Sequence, residues 1–328
     1  VSSVMPYYSL PLGITSEDVG GSYNKEIITG LLRERYNFDG VICTDWKTIT
    51  DVKLPFGIIF KPASAFGVEN LTIKERLLKK LSAGIDMIGG ETLSIELSEL
   101  IKEGKVSEDR IDKSLRRILR QKFKLGLFDN PYIDEESLKI FNNIQNIEKG
   151  IEAQKKSLIL LKNEDNFLPL KNKKKIHYYG FENNFMKKIK QESVENSDLI
   201  IMKLKSPKGR FKTKYIMEKL FGGGPLDFSS KELSKLIPLI KSKPTIIIIN
   251  LERPAIIKEI SEVAKAVIAD FNSDNKIIMD LIKGKFNPSG KLPIELPSSM
   301  EAVKNQIEDI PYDSKEPLFK FGHGLSYE

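Results

Sequence analysis

The run Asn37-Phe38-Asp39-Gly40-Val41-Ile42-Cys43-Thr44-Asp45-Trp46 decides how the first half of the chain is built. Phe38-Asp39-Gly40 reads as a turn, since Asp and Gly accept the backbone angles a reversal needs. Val41-Ile42-Cys43 is a short apolar run bounded by polar residues, the pattern of a buried strand. It stops at Thr44-Asp45-Trp46. Upstream, Asn24 to Tyr36 carries Ile27, Ile28, Leu31 and Leu32 at helical spacing. Before it, Ser3-Val4-Met5 forms a strand that ends in Pro6-Tyr7-Tyr8. Downstream, a loop containing Gly and Pro runs to about Asn70. Thr72 and Glu75 are spaced as a capping box and open a helix to Ala83. Ile85-Asp86-Met87-Ile88 is a third strand, ending at Gly89-Gly90-Glu91. Leu93 to Lys102 is helical, and Ser107 caps a helix from Glu108 to about Leu125, closed by Gly126.

Strands separated by helices imply parallel pairing. Polar residues gather after the C-terminal ends of these strands, where a βα barrel places its active site. Three strands cannot close a barrel, which needs eight in about 250 residues. The expectation is therefore an α/β chain whose residues 1–130 form the C-terminal portion of a (β/α)8 TIM-type barrel. Residues 131–150 read as a polar linker. Residues 151–328 read as an α/β sandwich, with a helix over Ile151 to Leu161. Its strands are expected at Ile176 to Tyr179, Asp198 to Lys203, Thr245 to Asn250 and Ala266 to Phe271. Helices are expected at Lys231 to Lys241 and Ser273 to Lys283.

Composition excludes several classes. With 328 residues the chain has room for two domains. Its single cysteine, Cys43, rules out an internal disulfide and reads as a small buried hydrophobe. The net charge of +7 comes largely from Lys171 to Lys175 and Lys203 to Lys214. Acids are interspersed along most of the chain and no nucleic-acid reading motif accompanies the lysines, so a solvated basic surface is expected and no nucleic-acid partner. No stretch approaches the roughly 18 apolar residues of a membrane-spanning helix. His177 and His323 lie far apart without cysteine, so no metal is expected. Gly222-Gly223-Gly224 lacks the phosphate-loop pattern, and no cofactor is expected. The compartment stays open, because the chain opens on Val1 rather than Met.

Asp45-Trp46 at a strand end carries the strongest chemical signal. Glycoside hydrolysis needs two carboxyl groups flanking the sugar, one of which attacks the anomeric carbon in the retaining version. A strand end holds such a carboxylate rigidly. A neighbouring Trp offers a flat apolar face to a sugar ring. An Asp that only caps the following turn is the plainer alternative.

The run 37–46 resembles the signature of glycoside hydrolase family 3, in which a Phe-Asp-Gly turn leads a strand to the nucleophilic Asp and a Trp. Ser3 to Tyr8 is similar to the preceding barrel strand, with Tyr8 at the position of a Tyr that lies beside the nucleophile. Asn24 to Arg33 resembles the intervening helix, and Ala83-Gly84-Ile85-Asp86-Met87 the last barrel strand. Val106 to Tyr132, Ser157 to Asn163 with Leu168-Pro169-Leu170, Ser289 to Pro293, and Phe321 to Tyr327 are also similar to that family, in order. The resemblance implies a β-glucosidase-like enzyme that cleaves terminal non-reducing β-D-glycosides by retaining double displacement, with Asp45 as nucleophile and no cofactor. Tyr8, Trp46 and Glu91 are the expected substrate contacts. Glu91 is alternatively a helix N-terminal acid. The general acid is expected from the second domain, with Glu218 as candidate and Glu69 as a lesser one. The family's barrel begins before the position matching Val1, so the chain is expected to belong to a longer or split enzyme. A missing N-terminal barrel segment or a second copy would then be its partner, and a β-linked glucoside or oligosaccharide its substrate. An inactive remnant that binds carbohydrate weakly is the alternative.

Overall fold

The computed structural model describes residues 1–141, 143–208, 223–307 and 309–327. These fall into two compact units, one of residues 1–134 and the other of the described residues from 135 onward.

In the first unit, β1 (Ser3–Val4) pairs in parallel with β2 (Val41–Ile42), Ser3 opposite Val41 and Val4 opposite Ile42. The third segment joins through a single parallel bridge, Cys43 to Met87, rather than a full strand over 85–88. The reason is local. The Ile42 amide donates to the Asp86 carboxylate at 3.0 Å, and the Ile85 carbonyl accepts from Arg110 Nη2 at 2.6 Å. Side chains thus take the places of ladder partners. The register survives through Thr44 N to Met87 O at 2.9 Å.

The segment between β1 and β2 is helical as its apolar spacing predicts, but Glu26–Arg35 is wound as a π-helix. Its end shows the wider ring, Tyr36 N donating to Leu31 O five residues back at 3.1 Å. Ile28 packs with Ile42 and Ile85 in a small core. Helix α1 (Ile73–Ala83) opens with the expected Thr72–Glu75 capping box and closes on Gly84 at φ 107. Helices α2 (Ser94–Lys102) and α3 (Glu108–Lys124) follow. Leu77, Leu81, Leu100 and Val106 form a core with Ile49 from the loop after Asp45. That loop contains an element the sequence reading lacks, an antiparallel hairpin of β3 (Val52–Lys53) and β4 (Ile59–Lys61). Phe56 and Gly57, both at positive φ, turn it.

The second unit is built on a five-stranded sheet of β5 (Ile159–Asn163), β6 (Ile176–Tyr179), β7 (Leu199–Lys205), β8 (Thr245–Asn250) and β9 (Ala266–Asp270), in the order β5-β9-β8-β7-β6. All neighbours are parallel except β5 with β9. Apolar clusters cover both faces, which explains the unbroken isoleucine run of β8. The expected helix over 151–161 starts earlier and ends sooner, at Ile144–Ser157. Asn143 caps it by accepting from Gln145 N at 2.8 Å. Leu158 to Leu161 are all buried, and burial on every side suits a strand covered on both faces better than a surface helix. Among the described residues no helix is long and apolar enough to cross a membrane.

Candidate active site

Three of the expected site residues meet at the C-terminal ends of β1 and β2. Asp45 leaves β2 partly buried, and its Oδ1 accepts from Trp46 N at 2.6 Å. Tyr8, just past β1, donates its phenol to the Trp46 carbonyl at 2.9 Å. Burial, then the nearby Asp45 carboxylate, push the Tyr8 phenol up to about 12. Tyr8 therefore stays protonated and remains a donor at neutral pH. The Trp46 indole is 66% exposed, free to offer a face to a ligand.

The Gly89-Gly90 pair makes room for this turn. A Cβ on Gly89 would fall 2.4 Å from the Thr44 carbonyl, and one on Gly90 would strike the Trp46 indole. The buried Thr44 hydroxyl accepts from Gly89 N at 2.8 Å. Lys47 follows at φ 53, an uncommon conformation for a side-chain-bearing residue, and is held by Ser64 N donating to its carbonyl at 3.0 Å.

Glu91 follows Gly89 and Gly90. Its side chain is 1% exposed. Oε1 accepts from Ile49 N at 2.9 Å and Thr50 N at 3.0 Å; Oε2 accepts from Thr50 Oγ1 at 2.5 Å and Lys47 Nζ at 3.4 Å. The carboxylate is saturated by protein donors, so it braces the loop that follows Asp45. Glu218 lies outside the described residues. Glu69 has an exposed side chain, and its carbonyl accepts from Arg76 Nη2 at 2.5 Å.

Three features escaped the sequence reading. Lys61, at the end of the hairpin, donates to the Trp46 carbonyl at 3.2 Å and sits 4.7 Å from the centroid of the Tyr8 ring. Nothing in its sequence context signals this. Asp86 is a second. Its carboxylate, 0% exposed, takes Arg33 Nη2 at 2.5 Å, Ser114 Oγ at 2.7 Å and Arg117 Nη1 at 3.1 Å, besides the Ile42 amide. It pins the π-helix and α3 to the segment that carries Gly89 and Gly90. An acid inside the apolar run 85–88 was the available signal, since a buried charge demands partners. The third is Lys80, fully buried on α1, with its ammonium on the Ser22 hydroxyl and 3.6 Å from the Tyr23 ring centroid. Burial pushes it down to about 7.

Cys43, between the strand and Asp45, is partly buried; burial and then the Asp45 charge push its thiol up. A cavity of about 410 Å³ lies among α1, α2 and α3, lined by Leu77, Leu81, Ile88, Leu93 and Leu97. Asp45, Tyr8 and Trp46 do not line it.

Comparison with known proteins places these residues in a family. The glycosyl hydrolase family 3 N-terminal domain matches residues 2–121, and the family's C-terminal domain matches residues 191–327. A probable beta-glucosidase C of Aspergillus flavus is 43% identical over 340 residues, covering 99% of this chain and 52% of its own length. A periplasmic beta-glucosidase/beta-xylosidase of Dickeya chrysanthemi is 33% identical over 344 residues, again 99% of this chain and 52% of the relative. The chain thus spans about half the length of the curated relatives it matches. In fold it is similar to the crystal structure of a beta-glucosidase from Listeria innocua, with TM-score 0.70 at 23% identity over 94% of this chain and 50% of that one. A beta-glucosidase of intestinal bacteria involved in saponin metabolism gives TM-score 0.73 at 19% identity, covering 99% and 55%. With both of its domains matched in order, the chain belongs to glycosyl hydrolase family 3.

Proposed function

We propose that this chain supplies the nucleophile of a retaining β-glycosidase acting on terminal β-D-glucosides. The observation that carries the reading is Asp45 at the end of β2, with the Tyr8 phenol beside its carboxylate and the Trp46 indole exposed next to it. Asp45 attacks the anomeric carbon. A carboxylic acid protonates the leaving oxygen as the bond breaks, and water then releases the sugar from Asp45. Tyr8, kept protonated, donates to the Trp46 carbonyl and so steadies the turn that carries the Asp45 carboxylate. Glu91 acts through the loop it braces. Glu218 is the candidate acid, and a retaining mechanism sets two such carboxyl groups about 5–5.5 Å apart. In this reading residues 1–130 are the closing strands and helices of a (β/α)8 barrel, 131–150 join the halves, and 151–328 form an α/β sandwich. Relatives named beta-glucosidase support the sugar class, and the Dickeya name adds xylosides as the near competitor.

The test is hydrolysis of aryl β-glucosides and β-xylosides by the chain, alone and mixed with a polypeptide carrying a relative's preceding barrel strands. A 2-deoxy-2-fluoro aryl glycoside is expected to leave a covalent sugar on the peptide containing Asp45. Turnover should vanish in Asp45→Asn. Labelling of a different carboxylate, or full turnover by Asp45→Asn, would sink the assignment. A folded chain inactive in every mixture would favour a remnant that binds carbohydrate only.

A further inference from the structure

We propose that Lys61 is a positioning residue of this site, holding the Asp45–Trp46 turn and the Tyr8 ring together; the proposal rests on reading Asp45 as the nucleophile. The Trp46 carbonyl collects two donors from separate parts of the chain, the Tyr8 phenol at 2.9 Å and the Lys61 ammonium at 3.2 Å. The same ammonium lies over the Tyr8 ring, 4.7 Å from its centroid, an attraction between cation and ring quadrupole. One cation thus joins the end of β1, the end of β2 and the hairpin.

The turn needs such a clamp. Lys47, the next residue, holds φ 53, and a non-glycine residue stays there only when its surroundings fix it. The hairpin delivers the clamp because its base is tied back to the same loop. Ala63 N donates to Asp51 Oδ1 at 2.8 Å and Ser64 N to the Lys47 carbonyl at 3.0 Å.

Charge acts in the same direction. Burial lowers the Lys61 ammonium, while the Asp45 and Glu91 carboxylates pull it back up. Tyr8 faces it through its ring, and Lys47 donates to Glu91.

The experiment compares Lys61→Met, which keeps the stem without the charge, with Lys61→Arg, which keeps charge and donors. Lys61→Met is expected to lower kcat about tenfold with little change in KM. Lys61→Arg should restore most of kcat. A kcat equal to the parent's in Lys61→Met would overturn the proposal. A second arm needs no turnover. Lysines of the folded chain are 13C-dimethylated, and the Lys61 resonance is assigned by its loss in Lys61→Arg. Its titration midpoint should fall in Asp45→Asn, and an unmoved midpoint overturns the proposal. A chain that hydrolyses no glycoside defeats the hydrolase reading separately and leaves this titration to decide Lys61.

Discussion

The indole of Trp46 occupies the space that a side chain on Gly90 would need: a Cβ built on Gly90 falls 2.7 Å from Trp46 Cε3 and 2.9 Å from Cδ2. Gly90 also holds φ +65, where any other residue is strained. Gly90→Ala is therefore expected to push the indole off its seat and to cost about 1 kcal/mol or more. Trp46 is the one tryptophan of the sequence, so its fluorescence reports this site alone. Acrylamide quenching should rise in Gly90→Ala. Unchanged quenching would mean that the backbone, and not the indole, gives way.

Asp86 is expected to matter more to stability than any other acid of the first unit. Its side chain is 0% exposed and pairs with Arg33 and Arg117, whose own side chains are only 10% and 20% exposed, Arg117 pairing with Asp39 as well. Removing one partner of a buried pair typically costs about 3–5 kcal/mol, because the other charge is left uncompensated. Asp86→Asn should lower the urea midpoint accordingly. A loss under about 1 kcal/mol would show that water replaces the carboxylate.

Lys80 gives the protein a pH dependence on the alkaline side. Its folded value of about 7 lies below the ordinary 10.5, so the unfolded chain binds the extra proton between those two limits. Stability then rises with pH across that window and is lowest below it. Each unit inside the window is worth at most about 1.4 kcal/mol. Lys80→Met should stabilise the protein most at pH 6 and much less at pH 10. Thermal melts at the two values check this; equal gains at both would rule out titration of Lys80 as the cause.

Glu91 separates bracing from charge. Glu91→Gln keeps an oxygen for the Ile49 and Thr50 amides but loses the pairing with Lys47. It should be nearly neutral. Glu91→Ala leaves both amides without their acceptor, a cost of about 1–3 kcal/mol for each buried group. Limited proteolysis should then cut the loop 47–51 in Glu91→Ala and spare it in Glu91→Gln. Cleavage in neither would show that the loop stands without this carboxylate.

Local rules made much of this molecule legible. Thr72 and Glu75 announced α1, and the isoleucines of β8 could only be a strand buried on both faces. Asp45, Tyr8 and Trp46 were visible because each ends or follows a strand. The hairpin was not, because its strands are two and three residues long and Leu54-Pro55-Phe56-Gly57 reads as loop. Leu158 to Leu161 looked helical because an apolar run carries no period, and the adjoining helix invites its extension. Lys61 and Lys80 were hidden for another reason. A lysine's ordinary place is in water, and only the packing of distant segments shows that these two ammonium groups are drawn inward.

The strand Thr245–Asn250 has a neighbour on each edge and no exposed residue, whereas Ser3–Val4 pairs on one edge only among the described residues. Amide protons of the first can reach solvent only when the sheet comes apart, while those of the second are released by fraying. The two units therefore keep different clocks. Deuterium enters the central strand on the timescale of unfolding, and it enters the strand leading to Tyr8 on the timescale of local opening, next to the proposed nucleophile Asp45.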